Sequence, residues 1–147
     1  DGSDREARLN LMSASMQGAM AFQKGLGCVH SLSHSLGGVD PRLHHGTLNA
    51  MFLPAVINFN AGAESIQKES RLLRMAQAMN LDTAGDIALA IRDMNARLGL
   101  PTGLRAMGVS ENQFGQIVTG ALADHCHKTN PRIASAEDYL TLLEQAM

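Results

Sequence analysis

Tryptophan is absent from this 147-residue chain, and one tyrosine and four phenylalanines bring the aromatic share to 3%. So few rings exclude a core built on large aromatic side chains. Nine methionines and abundant alanine instead suit helices packed through small and flexible groups. Cysteine is scarce too. Cys28 and Cys126 stand far apart with no CxxC, which excludes a disulfide framework and points to a reducing cytoplasm. Neither sign of charge is in excess: 12 Lys and Arg face 14 Asp and Glu, for a net charge of −2. That balance offers no field to attract nucleic acid or an anionic membrane. No apolar run approaches the length of a bilayer span, and nothing resembles a signal peptide. The expectation is a cytoplasmic protein of one domain, with neither nucleic acid nor membrane as partner.

Strand alternation is missing as well, and helical periodicity dominates. An all-α bundle of six to seven helices is expected. "SDREARLNLMSASMQGAMAF" predicts a first helix whose stripe of Leu9, Met12, Met16, Ala19 and Met20 packs into the core. "CVHSLSH" reads as one or two turns stopped by Gly37 and Gly38, and "VDPRLHH" as a loop in which Pro41 excludes regular helix. The apolar stretch "GTLNAMFLPAVINFNAGA" is expected to kink or restart at Pro54. "ESIQKESRLLRMAQAMN" predicts one amphipathic helix with Ile66, Leu72, Leu73, Met75 and Met79 inward. Asp82 or Thr83 caps the next. Ser110 with Gln113, and Ser135 with Asp138, form capping boxes for the last two.

Four of the six histidines fall within "VHSLSHSLGGVDPRLHHG". His30 and His34, four apart, project from one face if their segment is helical, a spacing that lets two nitrogens converge on one ion. Alone, HxxxH is equally a pair of partly buried or surface imidazoles. His44 and His45 follow across a glycine-rich turn, and four histidines gathered there are poorly explained by packing, since His is neither a good core residue nor a good helix former. No CxxC, HExxH or carboxylate-rich loop completes a zinc or calcium site. His125 and His127 around Cys126 read as a helix end with exposed imidazoles, and Cys28 as a small buried hydrophobe. Asp124 and Arg132 have no partner identifiable from sequence beyond a helix-terminal salt link. "GLG" at Gly25–Gly27 is no dinucleotide fingerprint, because no strand precedes it and the third glycine is missing.

The stretch "GLGCVHSLSHSLGGVDPRLHHGTLNAMFLPAVINFN" closely resembles the signature of the iron-containing (group III) alcohol dehydrogenases. The likeness extends upstream through "DREARLNLMSASMQGAMAF" and downstream to "NPR" at Asn130–Arg132, and so covers essentially the whole chain. It implies the C-terminal all-α domain of a dehydroquinate synthase-like fold, with the nucleotide-binding N-terminal domain outside residues 1–147. By the resemblance His30 is a metal ligand, and so is the histidine before Gly46, which is His45. The loop is one residue longer than in many members, so counting forward from Gly37 picks His44, whereas the "HG" anchor picks His45. His34 matches a histidine that lies beside nicotinamide and substrate and orients substrate or relays a proton.

The implied activity is oxidation of a small alcohol to an aldehyde or ketone, or the reverse, with divalent iron (or zinc in its place) and NAD or NADP. Two further ligands, an Asp and a His, would lie upstream of Asp1. The chain alone is therefore expected to be inactive, and the intact enzyme to be a homo-oligomer. One alternative is a non-enzymatic helical module that uses the histidines for structure or weak metal binding. Another is a family member that has lost its metal.

Overall fold

Asp4 opens the first helix by accepting the backbone N–H of Ala7 on its carboxylate at 3.0 Å. The computed structural model describes residues 2–147 and places eight α-helices along them: α1 (Arg5–Phe22), α2 (Cys28–Val39), α3 (His45–Asn60), α4 (Glu64–Lys68), α5 (Arg71–Ala78), α6 (Ile87–Arg97), α7 (Phe114–Ala123) and α8 (Ala136–Ala146). Short 3-10 turns bridge several of them, and the described residues contain no strand. The all-α architecture is as expected. The additional helix arises at Ser70, whose left-handed backbone (φ 49°) breaks the stretch expected as one helix into α4 and α5. Leu73 and Met75 are exposed there, because the inward stripe of α5 runs through Leu72, Ala76 and Met79.

Helix α2 does not stop at Gly37 and Gly38 but runs on to Val39. Glycine in a helix costs about 1 kcal/mol relative to alanine. Burial of Leu32 and Leu36 outweighs that cost. The helix lies between α3 and α7. Its contact with α7 is close: a Cβ on Gly120 would strike Ser35, whose hydroxyl donates to the Ile117 carbonyl at 2.7 Å. Cys28, Leu32, Leu48, Phe52, Ile117 and Tyr139 are among the fully buried side chains of the main core. A smaller cluster of Ile57, Ala76, Ile87 and Ile91 fastens α5 and α6 to α3.

Pro54 neither ends nor splits α3, which continues through it for 16 residues in all. The missing N–H leaves the Ala50 carbonyl without its helical donor. Asn95 of α6 supplies the replacement, its Nδ2 donating to that carbonyl at 3.0 Å. Thr83 rather than Asp82 precedes the turn into α6 and donates to Asp86. Both expected capping boxes are present, and Ser135 and Asp138 bond each other's backbone N–H at the start of α8.

The first helix is where the core expectation fails. No residue of α1 is buried; Leu9, Met12, Met16 and Met20 are 60–68% exposed, and Ala19 is exposed with them. Helical period identifies an apolar stripe, but it says nothing of what covers that stripe. At the far end of α1, the Phe22 and His30 rings meet in a T-shaped arrangement with centroids 6.0 Å apart. No helix is long and apolar enough to cross a membrane among the described residues.

Candidate metal centre

The N-terminus of α2 is fixed from a distance. Asn130 accepts the Cys28 N–H on its side-chain oxygen at 3.0 Å, while its amide donates to Asn60 and to the Arg132 carbonyl. A Cβ on Gly27 would collide with that oxygen, which explains the glycine. With α2 so anchored, His30 and His34 stand one turn apart with ring centroids 5.7 Å apart. The loop at Asp40–Pro41 returns the chain so that α3 starts beside them. His45 then lies 5.3 Å from each of the other two rings, stacked on His34 and tilted against His30.

The neighbouring histidines differ in use. His44 precedes α3 and caps it, its Nδ1 accepting the Thr47 N–H at 3.3 Å. His45 faces the cluster. The Asn49 amide Nδ2 donates to Nε2 of His45 at 3.1 Å and to Nε2 of His30 at 3.4 Å. Since Nε2 of His45 accepts, its proton is on Nδ1 and is donated to the buried Ser33 hydroxyl at 2.7 Å. Ser33 passes the interaction on to the His45 carbonyl.

Burial, followed by the neighbouring imidazoles, holds His30 and His45 below the usual histidine range, so both are neutral at pH 7. Two neutral imidazole nitrogens therefore present lone pairs to one polarised partner. The other atom of that partner, Asn49 Oδ1, is buried with no hydrogen bond. This donor set fits a divalent ion of the iron or zinc type, which takes neutral imidazole nitrogen readily.

His34 is held differently. Its Nδ1 donates to Asp124 Oδ2 at 3.0 Å, with the two side chains 35% and 14% exposed. Asp124 also accepts the Cys126 N–H at 2.8 Å and faces the Ser31 hydroxyl at 3.4 Å. Burial pushes its carboxyl up, but the Cys126 N–H and the His34 ring together outweigh that and leave it below the ordinary carboxylate value. His34, Asp124 and Cys126 bring potential ligand atoms within 4.8 Å of one another, a candidate metal-holding group in their own right. Burial, and then Asp124, push the Cys126 thiol up to about 11. Within the trio, Asp124 accepts the His34 Nδ1–H and so orients that ring.

Asp124 thus has a partner that spacing could not reveal, and Arg132 forms its ion pair with Asp138 at 2.9 Å while lying over the Phe59 ring. His125 is exposed and stacks against His34 at 5.9 Å; His127 turns away to the Tyr139 hydroxyl. Ser33, Asn49 and Asp124 are the site residues that the sequence reading missed.

Residues 1–147 match the model of the Fe-containing alcohol dehydrogenase family, C-terminal. The chain is 64% identical to a 4-hydroxybutyrate dehydrogenase of Cupriavidus necator, covering 100% of this chain and 40% of that protein. Among solved structures, a 1,3-propanediol oxidoreductase superposes with a TM-score of 0.89 at 31% identity, over 99% of this chain and 39% of the other. An alcohol dehydrogenase from Oenococcus oeni gives 0.91 at 27% identity, over 100% of this chain and 39% of the other. The chain thus spans about 40% of the length of the relatives it matches. It belongs to the Fe-containing alcohol dehydrogenase family, and corresponds to that family's C-terminal, helical part.

Proposed function

We propose that residues 1–147 form the metal-binding C-terminal domain of an NAD(P)-linked dehydrogenase that interconverts a small hydroxy acid with its aldehyde. The observation that carries this reading is the convergence of His30 Nε2 and His45 Nε2 on one partner, with His34 alongside both rings. The identity to a 4-hydroxybutyrate dehydrogenase supports an ω-hydroxy acid as substrate. The nucleotide-binding part and two further ligands belong to a segment outside this chain.

When bound, divalent iron or zinc supplies Lewis-acid polarisation of the alcohol oxygen, and a nicotinamide dinucleotide accepts the hydride. The residues of this chain do the rest of the positioning. His30 and His45 hold the ion through Nε2, and Ser33 keeps the His45 proton on Nδ1. Asp124 accepts the His34 Nδ1–H, which leaves His34 Nε2 to take the alcohol proton as the hydride departs. Two free, buried cysteines suit a reducing cytoplasm, and the apolar face of α1 offers surface for association.

The test is metal analysis of the dehydrogenase that contains this chain, with assays of NAD(P) reduction by 4-hydroxybutyrate. His30→Ala and His45→Ala should each lose bound metal and activity, and His44→Ala should keep both. Full metal content in the His45 variant would overturn the assignment.

A further inference from the structure

A cleft of about 650 Å³ opens beside the histidine cluster, with His30 and Asn49 among its lining residues. Its walls include Leu53, Ile57, Ile91 and Met94, apolar side chains from α3 and α6. Against this apolar lining stand two cations, Lys24 just after α1 and Arg71 at the start of α5, and no carboxylate lines the cleft. Lys24 and Arg71 also line an adjoining polar cleft that contains neither histidine nor Asn49. They therefore stand where the two clefts meet. Arg71 is pre-oriented, because Glu69 takes its Nε–H at 3.0 Å and an Nη2–H at 2.9 Å. The remaining N–H groups of the guanidinium are left for an incoming anion.

We propose that Arg71, assisted by Lys24, is the carboxylate anchor that selects ω-hydroxy acids over uncharged alcohols. The inference rests on the dehydrogenase reading above and adds the residues that would set its substrate preference. A short methylene chain suits the apolar walls, with the hydroxyl towards His30 and the carboxylate towards Arg71. Lys24 and the Arg71 N–H groups that Glu69 does not take stabilise the anionic end, and an alcohol lacking it gains nothing from them. The same oxyanion chemistry fits a phosphate of the dinucleotide, so the experiment must separate the two sources.

In the complete dehydrogenase, Arg71→Ala should raise KM for 4-hydroxybutyrate about tenfold to hundredfold, the effect of losing a charge-assisted hydrogen bond. KM for 1,4-butanediol and for NAD(P), and kcat for both alcohols, should change less than about twofold. Lys24→Ala should act in the same direction more weakly, and Arg71→Lys should recover part of the loss. A parallel rise in KM for acid and diol, or no rise for either, would overturn the proposal. A rise confined to NAD(P) would assign the cations to a cofactor phosphate and overturn it equally. Should the wild-type protein oxidise no alcohol, the dehydrogenase reading fails; calorimetric binding of 4-hydroxybutyrate to wild type and to Arg71→Ala still decides the anchor, equal affinity counting against it.

Discussion

His34 and Asp124, 90 positions apart in the chain, are joined by a 3.0 Å hydrogen bond from the imidazole Nδ1 to a carboxylate oxygen. The bond fixes which nitrogen of His34 carries its proton, because a carboxylate can only accept. It thereby holds the ring in place beside the other two histidines, stacked on His45, and leaves Nε2 as the nitrogen without the proton. Asp124→Ala should lower kcat of the complete enzyme about tenfold to hundredfold, a part of the usual contribution of a positioned acid–base group. It should also shift the pH profile while leaving bound metal unchanged. Imidazole nitrogen chemical shifts of the metal-free protein should show a mixed tautomer at His34 in the variant and one tautomer in the wild type. Loss of metal in step with activity would make Asp124 a ligand instead.

Ser33 offers a second test at the same cluster. The buried hydroxyl receives the His45 Nδ1–H at 2.7 Å and so keeps Nε2 available as a ligand atom. Partners of this kind typically contribute 10- to 100-fold in metal affinity. Ser33→Ala should weaken zinc or cobalt binding by about that factor in equilibrium dialysis, and Ser33→Thr should restore much of it. An unchanged dissociation constant in the alanine variant would remove Ser33 from the metal's support.

How much of this site could be read from the chain depended on sequence distance. The spacing of His30 and His34 and the "HG" that opens α3 are local features, and they carry the histidine cluster. Asp124 and Asn130 act across 90 and 102 residues, and nothing in the spacing of either announces a partner. The capping boxes at Ser110 and Ser135 were legible because each closes within one turn. The errors have the opposite origin. Gly37 and Gly38 looked like a stop, yet tertiary burial of Leu32 and Leu36 outweighed local propensity. The stripe on α1 looked like core, yet periodicity carries no information on whether a partner surface is present.

The metal-free protein should lose thermal stability as the pH falls from about 7.5 to about 5.5. His30 and His45 sit below the ordinary imidazole value of 6.5, first through burial and then through the neighbouring rings. Their neutral forms are favoured by the fold, so in this window the unfolded chain binds more protons than the native one. The sign is therefore a stability present above 6.5 and lost progressively below it, down to the folded values. Asp124 and Asp138, also depressed, contribute their losses only in the more acidic carboxylate range. Melting curves followed by circular dichroism will measure this. Replacing both histidines by asparagine should flatten the profile; an unaltered slope would place its origin elsewhere.

The last prediction concerns Pro54, Ala50 and Asn95. A proline inside a helix removes one hydrogen bond and pushes the carbonyl four residues earlier outward, at a cost of about 3 kcal/mol. Here that carbonyl is met by the Asn95 amide at 3.0 Å, so part of the cost is recovered and α6 is tied to α3. Asn95→Ala strands a carbonyl in a partly buried position and should destabilise the protein by about 1–3 kcal/mol. In a Pro54→Ala background the helix can again supply its own N–H to Ala50. There the same Asn95→Ala change should cost less by at least about 1 kcal/mol, a coupling that a double-mutant cycle from urea denaturation resolves. Additive effects would mean that Asn95 stabilises α6 by packing alone, and that the carbonyl freed by Pro54 is satisfied without it.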